Sequence, residues 1–167
     1  MPLSLVPRIA DLTRELCRSL AECHIACWRE AYRGLVPDHV LDAFDVGRRA
    51  EQCERDLASG GRSVVAVDDT IVVGFASVRC SDSRHAELPE LHALYLRKSY
   101  YGSGLADRLL TDAIGTAPCA LWVFEDNPRA KAFYRRHGFA PDGGRRVEPF
   151  SGVIEVRMVR NVPARVS

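Results

Sequence analysis

The sequence predicts a mixed α/β protein: a mostly antiparallel central sheet that takes in a parallel crossover, with helices over both faces. Three observations carry that expectation. Two helical patterns precede residue 60, two β-rich runs joined by a tight turn follow, and beyond residue 91 strands alternate with helices. A strand-helix-strand unit returns as a parallel crossover, whereas the joined runs form a hairpin.

Residues 6–10 read as a short first strand. Asp11 then opens a long helix in which Leu12, Leu16, Leu20, Cys23, Cys27 and Ala31 recur at helical spacing, until Gly34 and Pro37 break it. A second helix is expected over 39–58, stopped by Gly60 and Gly61. Strands follow over 63–67 and 71–79, turning at Asp68, Asp69 and Thr70. A third β-type run spans 91–96; after it come a helix (104–114), a strand (120–124), a helix (128–137) and a last strand (153–159).

Length and composition suit one domain across residues 1–167. Lys and Arg (23) nearly balance Asp and Glu (22), giving a net charge of +1. That balance argues against nucleic acid or an anionic membrane as a partner held by long-range charge. No apolar stretch is long enough to span a bilayer, and residues 1–10 lack the layout of a secretion signal. The expectation is a soluble, cytoplasmic protein; a homodimer is left open.

Six cysteines occur without any C-x-x-C pair. Cys23 and Cys27 share a helical face beside His24, yet zinc would need further ligands that no second cluster supplies. Reduced core thiols and no metal are the expected reading.

Residues 94–106 end a strand, turn on Gly102 and Gly104, and start a helix whose Ala106, Leu109, Leu110, Ala113 and Ile114 form one apolar stripe. The helix therefore rests on the sheet with its first N–H groups free. Glycines let a ligand approach the backbone, and the helix dipole favours an anion such as a pyrophosphate. Asp107 stands where a dinucleotide fingerprint wants a third glycine, and no Walker Gly-Lys-Ser/Thr ending is present. A bare strand-to-helix turn without ligand is the competing reading of this segment alone.

In the next helix Asn127 suits the N-cap, Pro128 the first position and Gly138 the stop. Ala130, Phe133, Tyr134 and His137 share a face, on which Phe133 reads as core and the Tyr134 hydroxyl is free to reach a cleft.

Together these segments resemble the GCN5-related N-acetyltransferase (GNAT) superfamily over about residues 63–160. The family's Gln/Arg-x-x-Gly-x-Gly/Ala pattern falls on Tyr101, Gly102, Ser103, Gly104, Leu105 and Ala106, with Tyr101 in place of the usual Gln or Arg. Its Asn-x-x-Ala-x-x-Phe-Tyr-x-x-x-Gly-Phe signature is met by Asn127, Ala130, Phe133, Tyr134, Gly138 and Phe139. The resemblance implies acetyl-CoA as acyl donor, lying in a gap between two splayed parallel strands. There the strand of Leu94, Tyr95 and Leu96 would bond the pantetheine; Arg97, Lys98, Arg129 and Lys131 are available to the phosphates, with solvated surface charge as the other reading for any one of them. It also implies transfer to a primary amine, with no metal.

By the family's register Tyr134 would protonate the departing thiolate; its alternative is a packing role. Glu90 stands where protein-acetylating members carry a basic carboxylate. Strand alternation puts His92 on the same face, so Glu90, His92 or water is the expected base. Trp28 and Tyr32, one helical turn apart, are the candidate acceptor wall, with stapling the helix to the sheet as the other role for Trp28. They belong to a Trp-x-x-Ala-Tyr-x-Gly-Leu-x-Pro block that looks like one recurrent bacterial subgroup. Glu30, Asp38 and Asp42 are candidates to attract a cationic amine. The acceptor stays open among an aminoglycoside-like antibiotic, a polyamine, an amino acid derivative and a protein N-terminus. The rival function is a non-catalytic acyl-CoA-binding sensor or scaffold, which the Tyr101 substitution keeps alive.

Overall fold

A computed structural model describes residues 6–80 and 88–161. Seven strands form one sheet: β1 (Arg8–Asp11), β2 (Arg62–Asp68), β3 (Ile71–Arg79), β4 (Glu90–Leu96), β5 (Cys119–Phe124), β6 (Ala140–Val147) and β7 (Ile154–Arg160). Their spatial order is β1-β2-β3-β4-β5-β7-β6, and every neighbouring pair is antiparallel except β4 with β5. Helices α1 (Cys17–Tyr32), α2 (Asp38–Asp42), α3 (Val46–Ala58), α4 (Leu105–Ile114) and α5 (Pro128–Arg136) complete the chain. No helix among the described residues is long and apolar enough to cross a membrane.

Strand alternation explains how one sheet serves two apolar layers. On β2, Val64 and Ala66 face the core built on α4, while Val65 and Val67 face the core of α1 and α3. Phe75 is fully buried in that second core with Cys17, Cys23, Cys27 and Cys53, so these thiols are packing groups. Burying a side chain of that size is worth about 1.5–3 kcal/mol. Gly74 lets α4 close on the sheet: a Cβ there would stand 2.8 Å from Leu96 Cδ1 and 3.1 Å from Leu109 Cδ1.

Several elements differ from the sequence reading, each for a local reason. The first helix starts later, with a 3-10 turn at Arg14–Leu16 before α1. The single helix expected over 39–58 is two. Asp45 is extended and its side chain accepts from Arg48 N at 2.8 Å, capping α3 and breaking the path from α2. The α4 stripe turns toward Leu105, which is buried, whereas Ala106 and Ile114 are only partly so. Strand β6 was not foreseen. It is an edge strand, mostly exposed, and its register shifts between Pro141 and Arg145, so it carries no alternating pattern.

Candidate active site

The parallel pair opens almost at once. Glu90 and Ala120 are its only register partners, and Ala120 N donates to Pro89 O at 2.9 Å just before the strands part. On the other side β4 stays paired with β3, and Arg97 N donates to Val73 O at 2.8 Å. Antiparallel alternation then turns the main chain of Tyr95 toward β3 and that of Leu94 and Leu96 toward the gap. Polar backbone at an opened edge is a ready acceptor and donor for an extended ligand. The gap widens into a cleft of roughly 1170 Å³.

At one end of this cleft lies the glycine turn. Gly102 and Gly104 have φ of 78° and 81°, the left-handed region that side chains with a Cβ resist. Ser103 Oγ accepts from Leu105 N at 3.3 Å and is itself fixed by donating to Tyr100 O. The turn is braced from both sides. Glu30 on α1 accepts from Arg97 Nε (3.0 Å) and Lys98 N (2.8 Å), and Tyr100 donates to Asp68 Oδ2 at 2.5 Å. The Glu30 carboxylate holds the Arg97 guanidinium even more firmly protonated than usual. Arg129 Cζ lies 3.4 Å from the centre of the Tyr101 ring, a cation–π stack at the mouth of the cleft.

Helix α5 forms the opposite wall. Asn127 Oδ1 accepts from Ala130 N at 3.2 Å and caps it, while Lys131 Nζ donates to Glu125 O at 2.6 Å. Replacing Asn127 with Ala should cost about 1 kcal/mol of stability. For a chain of this length that lowers Tm by roughly 2–4 °C, read by calorimetry; an unchanged Tm would show that the cap contributes nothing. Ala130 and Phe133 line the cleft, and His137 Nε2 meets Asp107 Oδ1 at 2.7 Å, tying α5 to α4.

Tyr134 is buried yet lines the cleft, and its hydroxyl has no hydrogen-bond partner among the described residues. Burial first, then the neighbouring Tyr32, pushes this phenol up, so it is protonated at any working pH. Glu90 and His92 face the same space, with Oε1 and Nδ1 3.8 Å apart. The neighbouring His92 outweighs partial burial and holds the Glu90 carboxyl below its usual value.

The third wall is aromatic. Trp28 packs edge-on against Tyr32 (5.0 Å) and Phe44 (5.2 Å), and Tyr32 against Phe124 (4.7 Å). Tyr32 Oη donates to Tyr95 Oη at 3.5 Å, so the Tyr95 ring joins this wall while its main chain stays with β3. Trp28 packs α1 against Phe124 of the sheet and also lines the cleft. Glu30, Asp38 and Asp42 do not await a cation, because Glu30 holds Arg97 and the two aspartates flank Arg33 at 3.2 Å. Sequence reading missed Glu30 as a brace and passed over His24, Phe44 and Arg49 as wall residues. Their partners lie far along the chain, 67 residues away for Glu30 and Arg97, and no local pattern signals such contacts. Among the described residues no group of three or more His, Cys, Asp or Glu side chains is disposed to hold a metal ion.

A split parallel pair, a glycine turn at a helix start and a tyrosine facing the split define an acyltransferase-type cleft. Comparison with known proteins agrees. The family model described as an acetyltransferase (GNAT) domain matches residues 59–141. A probable N-acetyltransferase of Mycobacterium tuberculosis is 28% identical over 155 residues, 86% of this chain and 88% of that protein. An uncharacterized N-acetyltransferase of Mycobacterium bovis is 30% identical over 118 residues, 66% of this chain and 74% of its own. Among solved structures, the PaiA N-acetyltransferase of Thermoplasma acidophilum, in complex with coenzyme A, superposes with a TM-score of 0.75. It is 19% identical and covers 95% of this chain and 100% of its own. The chain belongs to the GCN5-related N-acetyltransferase (GNAT) superfamily.

Proposed function

We propose that the protein transfers an acetyl group from acetyl-CoA to a primary amine. The observation that carries this reading is the Tyr134 hydroxyl, which has no partner among the described residues and lies in the cleft that also holds the opened β4 edge and the Gly102–Gly104 turn. The pyrophosphate of the donor suits the free N–H groups at the start of α4, and its pantetheine amides suit Leu94 and Leu96. The cation that position 101 lacks is supplied by Arg129, stacked on the Tyr101 ring.

Attack by the amine nitrogen on the thioester carbonyl forms the C–N bond and breaks the C–S bond. The amine proton passes to Glu90 or His92, directly or through water, and Tyr134 supplies a proton to the leaving sulfur. A phenol pushed up by burial is a weak acid in water. The same burial raises the proton affinity of a thiolate placed beside it, so the transfer remains matched. A sensor or scaffold that binds acyl-CoA without turnover is the second reading, favoured by nothing in the geometry of Tyr134.

The base assignment has a pH signature. Because the Glu90 pKa is lowered, this carboxylate stays ionised, and able to accept a proton, well below neutrality. An amine acceptor is increasingly protonated over the same range and needs a base most there. Glu90→Gln should therefore slow transfer by on the order of tenfold near pH 6, with the deficit closing above the pKa of the amine. A deficit that is uniform with pH, or none, would leave His92 or water as the base.

A further inference from the structure

We infer that the acceptor is a small amino carboxylate, an amine carrying a carboxylate that docks on Arg49 at the α1–α3 end of the cleft. The inference rests on the acetyl-transfer reading above and adds the class of acceptor to it. Arg49 on α3 lines the cleft. Its Nε donates to Nδ1 of His24 at 2.8 Å, while its Nη1 is buried and has no partner. Among the described residues no carboxylate lies within ion-pair distance of this guanidinium.

His24 adds no charge of either sign beside this guanidinium. It is wedged among Phe75, Tyr95 and Trp28, and burial, reinforced by the Arg49 charge and by His92, holds its pKa down to about 3. The imidazole is thus a permanent neutral acceptor that aims the guanidinium without neutralising it. A guanidinium partly withdrawn from water without a counter-charge is costly, and an incoming anion relieves that cost.

The rest of the cleft points the same way. Three of its carboxylates are already paired with guanidinium groups: Glu30 with Arg97, Asp107 with Arg136, and Glu155 with Arg146. Glu148 accepts from the main chain of Phe150 and Ser151. A polycationic acceptor would find these groups taken, whereas an anion finds a fixed guanidinium. Arg49 is also tied to the middle of the cleft through one intervening side chain, since the His24 ring that it bonds packs 5.0 Å from the ring of Tyr95 on β4. The neighbouring Trp28 and Phe44 rings offer apolar surface to the remainder of a small acceptor.

The test is thiol release from acetyl-CoA by the purified protein. Acceptors are the twenty common L-amino acids, their α-carboxamides and, for the aromatic members, the decarboxylated amines. A charge-assisted contact predicts kcat/KM for the preferred acid about 10- to 100-fold above that of its carboxamide. Arg49→Gln should move that ratio toward one. The acid-to-amide ratio in the unsubstituted protein decides the matter even if the variant folds poorly. Equal rates for acid and amide overturn the inference, as does failure of every acid to react while acetyl-CoA still raises Tm. A peptide N-terminus as acceptor would appear as amides outrunning acids. Absence of any rise in Tm with acetyl-CoA rejects the donor reading and the inference with it.

Discussion

Replacing Tyr134 with Phe is expected to lower kcat by about 100-fold or more, roughly 3 kcal/mol of barrier, with little change in acetyl-CoA affinity. The ring is retained, so its edge contacts with Phe133 (5.3 Å between centroids) and Phe139 (5.7 Å) survive. Only the hydroxyl is lost, and that hydroxyl bonds to nothing else among the described residues, so no buried partner is orphaned. The interaction removed matures as the thiolate forms, which places the loss in turnover instead of in ground-state binding. Single-turnover acyl transfer and equilibrium acetyl-CoA binding, measured on both proteins, separate the two. Full turnover in the variant would remove the acid role. A parent protein that binds acetyl-CoA yet neither transfers nor hydrolyses the acetyl group would instead identify the sensor or scaffold.

How much of this was legible in the sequence follows the range of the interactions. The glycine turn and the α5 cap are local: Gly102, Gly104, Asn127 and Pro128 act on their immediate neighbours, so spacing alone placed them. Tyr134 came with its helix face. The opened edge of β4 depends on pairing with strands on both sides, and only the resemblance pointed to it. Side-chain partnerships across the sheet were not legible at all. Glu30 to Arg97 joins α1 to the loop after β4, and Arg49 to His24, 25 positions apart, joins α3 to α1. A charge in a sequence carries no mark of whether it will be consumed by a partner. For that reason Glu30, Asp38 and Asp42 read as open acids, and nothing in the sequence drew Arg49 into the site. Strand β6 was hidden differently: it buries no face, and burial is what imprints alternation on a strand.

Gly104→Val should abolish stabilisation by acetyl-CoA. In the parent protein, ligand at 100 times its Kd adds about 2.7 kcal/mol, or roughly 5–10 °C in Tm for a chain of this length. Gly104 sits at φ +81°, and a Cβ built there meets no protein atom within 4 Å. The added side chain therefore occupies open space beside the start of α4, where the pyrophosphate is expected, and does not meet the protein's own packing. Valine is also strained at positive φ, at about 1–2 kcal/mol, so the variant's baseline Tm falls as well. A control isolates that second effect. Gly60 has φ +85° and equally open surroundings but lies outside the cleft, so Gly60→Val bears a similar strain. It should lower the baseline alike and keep the full rise with acetyl-CoA. Thermal melts of the three proteins with and without ligand give the comparison, each read against its own baseline. A rise in Gly104→Val equal to that of the parent would move the donor's phosphates away from this turn.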